Sequence, residues 1–430
     1  MNAKTEPLPD LIEESFQEAA FLWSRWEAEL VSISRNLEEV WSWTEDRLGG
    51  ALDGVQLAPA ATLERLAGIA LAGDKRAEHT VCGRVLASAA APIARALLGD
   101  AIRGAQGPRL RSLMRGVEVA DLDGSFAPVT KILSHQSAEH AASLARLKAF
   151  RRASLGEELT LAFESKVTDL QIEALRAARQ LPPQYAASWI DTGLKHEHSQ
   201  VRMAAMESGI RQRIPNAWGA ALSAARGFGG ESAGLLRLLA MLGSESEHAI
   251  IFSALSKPTL QRSALWALGN VGSREAAEHC LIAMKHANLA RMAGEAYCAI
   301  TGADWVRDRL SKPEPDVPTP DFASDDLDAN LVPTQEAQWP LPDLTAVRKH
   351  WNAIEARYQR GVRHVRGRPV SVDVLMDAVE EGPMLRRPDY AYELYVRTHG
   401  KYDVETRATR QVQRHMMLTG RARIAAPPAN

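Results

Sequence analysis

The sequence predicts an all-α chain, an α-solenoid of paired antiparallel helices with a helical N-terminal cap and a C-terminal helical unit. Two observations carry that prediction. A degenerate helical segment recurs through the middle third, clearest in RSALWALGNVG, residues 262–272, where small residues return at helical spacing and the run ends on glycine. Looser copies are IEALRAARQLP from Ile172, VRMAAMESGIRQRIP from Val201, LLRLLAMLG from Leu235 and AGEAYCAITG from Ala293. Counted from Glu173, Ala204, Arg237, Ser263 and Gly294, they lie 31, 33, 26 and 31 residues apart. A period of about 30 residues, each unit helical, belongs to repeats that bury their apolar faces only by stacking. The second observation is an absence of strand signals. Convincing alternation at period two is missing, as are Asn-Gly and Asp-Gly turns between apolar runs, and only VEVADLDG from Val117 hints at a strand.

Taken in order, residues 1–58 form the N-terminal cap. Phe16, Ala19, Ala20 and Trp23 follow the spacing of one buried helix face, and Trp26, Trp41 and Trp43 add large apolar area beside it. A first repeat has no neighbour, so a well-packed cap is the ordinary use of these tryptophans. An exposed aromatic docking face is the sharper one. Residues 59–310 are rich in Ala and Leu, with Gly or Pro breaks at Gly99, Gly104, Pro108, Gly116, Gly156, Pro182, Gly193 and Pro215. That rhythm gives helices of a few turns joined by short loops. Residues 311–340 hold six prolines and seven acidic residues against one lysine, which makes them an acidic linker or belt. Residues 341–430 form a basic helical unit, with 16 Lys and Arg against 10 Asp and Glu.

Composition bounds the function. At 430 residues the chain exceeds a single compact core, and 46% hydrophobic with 24% charged residues is ordinary for a globular protein. The net charge of −2 disfavours nucleic acid and anionic membrane as global partners. Cys82, Cys280 and Cys298 are too few for a disulfide framework and fit a reducing compartment. The start MNAKTEPLPD carries no apolar leader, and the longest uncharged runs are well short of the roughly 20 residues a membrane helix needs. A cytoplasmic location is expected.

Few constellations suggest chemistry. In KHEHS, from Lys195, His196 and His198 stand two apart, where a helix would point them to different faces; the segment reads as a loop. GFGGESAG, from Gly227, lacks the lysine of a phosphate loop and a preceding strand, and reads as a helix connection. The cysteines read as small core residues, and Glu38–Glu39 or Glu380–Glu381 as solvated acids. No catalytic, cofactor-binding or metal residues are assigned. Arg202, Arg262 and Arg291 recur near the start of a helix in successive repeats, as a structural column or a basic stripe on the concave face. Arg363, Arg366 and Arg368 lie in YQRGVRHVRGR, residues 358–368, which would dock on acidic segments of the chain or on an acidic partner protein.

EAAFLW (18–23), RLGGALDGVQLA (47–58), GEAYCAITG (294–302), the long run 341–369 and RRPDYAYEL from Arg386 together resemble a family of bacterial HEAT-repeat-like proteins. The resemblance spans both ends as well as the repeats. It departs at Lys349–His350, where an aromatic is more usual beside Trp351. It implies a HEAT-like α-solenoid and, because such genes often sit near type VI secretion spike and effector genes, an accessory, adaptor or immunity-like role. The partner would be another protein, a secreted toxin or spike component. It supplies no catalytic residues and no cofactor. The expected function is therefore a non-enzymatic protein-binding scaffold, with Arg202, Arg262, Arg291, Arg363, Arg366 and Arg368 as its candidate surface. The alternative is an enzyme on a HEAT scaffold, DNA glycosylase-like or lyase-like.

Overall fold

The computed structural model describes residues 9–89, 91–120, 127–133, 137–313 and 335–426, and through them the chain is all-α. α1 (Pro9–Glu29) buries Phe16, Ala19, Ala20, Trp23 and Trp26 along one stripe. α2 (Leu37–Val40) starts on a capping box between Asn36 and Glu39, passes through a π-helical turn at Trp41–Glu45, and continues as α3 (Asp46–Gln56). Then come α4 (Ala60–Ala72), α5 (Arg76–Ser88), α6 (Pro92–Gly104), α7 (Gly107–Glu118), α8 (Ala127–Leu133), α9 (Ala138–Phe150) and α10 (Glu158–Glu164). The repeat region holds α11 (Thr168–Ala178), α12 (Pro183–Leu194), α13 (Ser199–Arg211), α14 (Pro215–Arg226), α15 (Ser232–Leu242), α16 (Glu245–Ala254), α17 (Gln261–Val271), α18 (Arg274–Ala283) and α19 (Ala290–Thr301). The five repeat copies fall on α11, α13, α15, α17 and α19, every second helix, as stacked pairs require. After these come α20 (Leu344–Ile354), α21 (Val372–Glu381), α22 (Arg387–Arg397) and α23 (Arg410–Ala425).

The chain divides into a larger unit, Met1–Ala221 with Glu380–Asn430, and a smaller one, Leu222–Val379. These limits cut across the segments expected from composition, because the basic C-terminal stretch is shared between the two. Its first part packs with α17–α19, and its last part with α1–α13.

In the larger unit α5, α7, α9, α11 and α13 pack in succession, with α1 against α5. α5 and α7 approach so closely at Gly83 and Gly116 that a Cβ on either would overlap the other helix's backbone. Orphan carbonyls at helix ends are taken up by the next layer: the Ser208 hydroxyl donates to Leu175 O at 2.8 Å, and the Gln212 amide donates to Ala178 O. The loop between α22 and α23 then returns across the ends of α9, α11 and α13. There Asp403 meets Arg152 at 2.8 Å and Arg211 at 2.6 Å, and Glu405 meets Arg179 at 3.0 Å. Burial opposes ionisation of Asp403, yet the guanidiniums of Arg211, Arg152 and Arg179 outweigh it and hold its pKa below the aspartate range.

In the smaller unit α15, α17 and α19 pack in succession. α17 and α19 end on Gly272 (φ +62°) and Gly302 (φ +70°), left-handed residues that leave the last carbonyls open. A hairpin of β3 (His364–Val365) and β4 (Arg368–Pro369) crosses those ends. His364 N–H donates to Gly272 O at 2.8 Å, Arg366 N–H to Ala299 O at 2.9 Å and Gly367 N–H to Ile300 O at 2.8 Å. A Cβ at Gly272 would overlap His364 O, so this glycine is required both for its own conformation and for the hairpin's approach. The hairpin turns on Arg366 (φ +51°) and Gly367 (φ +79°), a type I′ geometry reached with Arg-Gly rather than Asn-Gly. β1 (Ser311–Lys312) pairs with β2 (Leu341–Pro342), so the acidic segment is pinned together at its two ends; residues 314–334 within it lie outside the described residues. VEVADLDG begins as the last turn of α7, and residues 121–124 also lie outside the described residues.

Gly272→Ala combines left-handed strain with a steric overlap, and we expect a loss of about 2–4 kcal/mol in urea unfolding monitored by circular dichroism; a loss under about 0.5 kcal/mol contradicts this role for the hairpin. Asp403→Asn leaves buried guanidiniums without their counter-charge and should cost about 3 kcal/mol at neutral pH. Because the folded pKa of Asp403 is depressed, its contribution is complete above the ordinary value of about 3.9 and is lost as pH falls through the lower folded value. Stability curves of wild type and D403N should therefore run parallel at neutral pH and converge below about pH 4.

Candidate functional site: a tryptophan-lined cleft

The π-helical turn at Trp41–Glu45 is the irregular feature of the N-terminal helices. A π turn adds one residue to the helical circuit and re-aims the side chains around it, which is why such turns are frequent at functional sites. Here it points Trp41 and Glu45 into a cleft of about 590 Å³ in the larger unit, walled also by Trp23 and Trp26 of α1. At Gly49 and Gly50 a Cβ would meet nothing within 4 Å, so that side of the cleft is open.

Glu45 is anchored from two elements. The Trp26 Nε1–H donates to its Oε2 at 3.0 Å, and the backbone N–H of Arg410 donates to its Oε1 at 2.8 Å. Burial pushes its pKa up, and these two hydrogen bonds offset the rise only in part. The Arg410 guanidinium lies 4.1 Å from the Trp41 ring centre and reaches Glu38 at 2.5 Å. The hydrogen bond from Arg410, helped by its charge and that of Arg414, holds Glu38 below the usual glutamate range. Two carboxylates on the cleft, Asp46 and Asp53, enter no ion pair or hydrogen bond through their side chains among the described residues. Trp43, one turn along, is 60% exposed and lies against Arg35, while Trp23 and Trp26 are buried. The N-terminal tryptophans are thus divided between the packed interior and the surface. The arrangement suits a ligand with an apolar body and a cationic or amide tip: rings for the body, carboxylates for the tip.

The arginines expected from the sequence to form the surface occupy other places. Arg202 donates to His196 O at 2.9 Å and Glu197 O at 2.7 Å, closing the loop before α13. Arg262 bonds Asn288 O at 2.9 Å and pairs with Glu336. Arg291 sits half-buried in the first turn of α19. Arg363 donates to Asn270 O at 2.6 Å and Met241 O at 2.8 Å, plugging the ends of α17 and α15. Arg366 lies in the hairpin turn over α19, and Arg368 pairs with Asp377 at 2.7 Å. Within the smaller unit, Arg262 and Arg291 stand at the N-terminal ends of helices whose C-terminal ends receive Arg363 and Arg366. They do not form one patch.

KHEHS is a loop in which His196 Nδ1 accepts from the His198 N–H at 3.0 Å, and among the described residues no group of three His, Cys, Asp or Glu is placed to hold a metal. GFGGESAG joins α14 to α15. Cys82 and Cys280 are buried and Cys298 is half-buried. Burial pushes the Cys82 thiol up to about 12 and raises Cys298 well above the ordinary range, so both stay protonated. Among the described residues no helix is long and apolar enough to cross a membrane.

Compared with known proteins, the chain matches no family model and no curated protein. It is similar to a solved structure of an engineered protein from the Northeast Structural Genomics Consortium, at 12% identity over 88% of this chain and 99% of that one, with a TM-score of 0.28.

Side-chain carbon NMR across a pH titration should place Glu45 above the ordinary glutamate midpoint and Glu38 below it. In Arg410→Ala, Glu38 should move back up to the ordinary range; an unmoved Glu38 means Arg410 does not organise this wall.

Proposed function

We propose that the protein is a non-enzymatic binding scaffold that captures a segment of a partner protein in the tryptophan-lined cleft. The reading is supported by the combination of an aromatic wall of Trp23, Trp26 and Trp41 with two unengaged carboxylates, Asp46 and Asp53. Aromatic anchors ringed by polar groups are the usual energetic centre of a protein interface. The captured segment presents a basic side chain on an apolar stem. The resemblance of the terminal segments to HEAT-repeat-like proteins would make the partner a secreted toxin or spike component and the role that of an adaptor or immunity-like protein, working in the cytoplasm.

Affinity purification from the native organism, with mass spectrometry of co-eluting proteins, tests the reading against a cleft variant. A partner retained by wild type should be lost from the Asp46→Asn/Asp53→Asn protein, whose changes touch only exposed side chains, with binding weakened at least tenfold. Equal recovery with both proteins removes the cleft from the interface. Recovery of no partner, together with a salt-sensitive shift of duplex DNA, would favour a glycosylase-like enzyme instead.

A further inference from the structure

A second cavity of about 410 Å³ lies in the larger unit where the first turns of α5 and α7 come together. Its charge is lopsided. Arg76, Arg111, Arg115 and Arg407 line it, against the single carboxylate of Glu27. Glu27 is already committed, to Arg115 at 2.6 Å and Arg407 at 2.8 Å. Arg115 is also fixed by Glu118 at 3.3 Å and by the carbonyl of Arg407 at 2.8 Å. Arg76 and Arg111, both exposed, have no ion pair or hydrogen bond through their side chains among the described residues. The concentration of positive charge is local, since the whole chain carries −2.

Two further features bias the cavity towards an anion. At the start of α5 Lys75 makes no side-chain capping bond, so the first-turn N–H groups there lack a cap from it, whereas at the start of α7 the Glu139 carboxylate already accepts from the Gly107 N–H at 2.7 Å. The close crossing at Gly83 and Gly116 brings the two helices into backbone contact and holds their first turns together. The hydroxyls present are spent: Thr80 donates to Arg76 O at 2.9 Å and Ser112 to Pro108 O at 2.9 Å. Guanidinium groups are therefore the donors, and their planar fork matches the oxygens of a phosphate.

We infer that this cavity is a binding site for a small phosphate-bearing ligand carrying at least two negative charges, with Arg76 and Arg111 as its gripping residues. Arg115 and Arg407 supply the fixed positive background, and Trp23 gives an apolar wall for the non-phosphate part of the ligand. The volume suits a small molecule, with Trp23 and Pro108 among its lining residues. The assignment does not rest on a partner bound in the tryptophan-lined cleft, although the two cavities share Trp23 as a wall.

Titration calorimetry with inorganic pyrophosphate tests it on the full chain. Saturable one-to-one binding is expected, weakening as salt is raised. Arg76→Ala/Arg111→Ala should bind at least tenfold more weakly while melting at the wild-type temperature, since neither side chain holds a structural contact. Arg76→Lys/Arg111→Lys should recover part of the loss. Unchanged affinity in the alanine variant overturns the assignment, as does the absence of saturable heat. Equal affinity for sulfate or tighter binding of a hexaglutamate peptide overturns the phosphate preference and would leave a general anion or acidic-peptide site instead.

Discussion

The free carbonyls at the C-terminal ends of the stacked helices are the constraint on which the rest depends. Each helix leaves its last carbonyls without intrahelical partners, and stacking helices in register within a unit gathers those open ends along a border of that unit. Water satisfies them only where the border is exposed. Here later parts of the chain cover it instead. In the smaller unit the β3–β4 hairpin brings backbone N–H groups to Gly272, Ala299 and Ile300, and Arg363 reaches Asn270 and Met241. In the larger unit the loop between α22 and α23 brings Asp403 and Glu405 to arginines at the ends of three successive helices. The hairpin satisfies carbonyls with its own N–H donors, whereas in the larger unit Ser208 and Gln212 donate to the carbonyls and the loop's carboxylates accept from the arginines beside them.

That shared device explains what the amino-acid order reveals and what it conceals. The five repeat copies are legible because their information is local: small residues at helical spacing and a terminal glycine in GNVG and AITG. Phe16, Ala19, Ala20 and Trp23 are legible for the same reason. The covering segments are not, because their partners lie far away in sequence. Arg152, Arg179 and Arg211 reach acidic residues 251, 226 and 192 positions distant. A run such as YQRGVRHVRGR looks like a basic docking surface until Arg363 is seen plugging two helix ends. The hairpin is hidden in the sequence because its turn uses Arg366, a residue with no preference for positive φ. RRPDYAYEL is likewise interior: Arg386 and Arg387 are 1% and 0% exposed, and Arg387 is held by Gln413 at 2.7 Å. Burial pulls the pKa of Arg387 down to about 10, the signature of a charge used for architecture.

The cleft is only half legible. A tryptophan concentration in residues 23–43 marks the region, but nothing in WSWTE announces a π turn, and the other walls come from α5, from the end of α7 and from the start of α23. Such a site exists only after the chain has closed on itself. The same holds for the arginine-lined cavity, whose four guanidiniums come from α5, α7 and the loop before α23.

Both cavities therefore depend on one returning segment. Arg407 lines the anion site, and Thr409 and Arg410 line the tryptophan cleft, while Asp403 and Glu405, a few residues earlier, hold down the helix ends. If the two cavities bind as proposed, fold and binding are physically coupled, because loosening that loop would cost stability and dismantle both cavities together. Side chains in the loop cannot separate these effects. Asp46, Asp53, Arg76 and Arg111 can, since each faces a cavity from a helix that the loop does not form and none of them is engaged elsewhere in the described structure. The proposed recognition would consequently rest on these few exposed, unpaired side chains, not on arginines such as Arg363 that close helix ends.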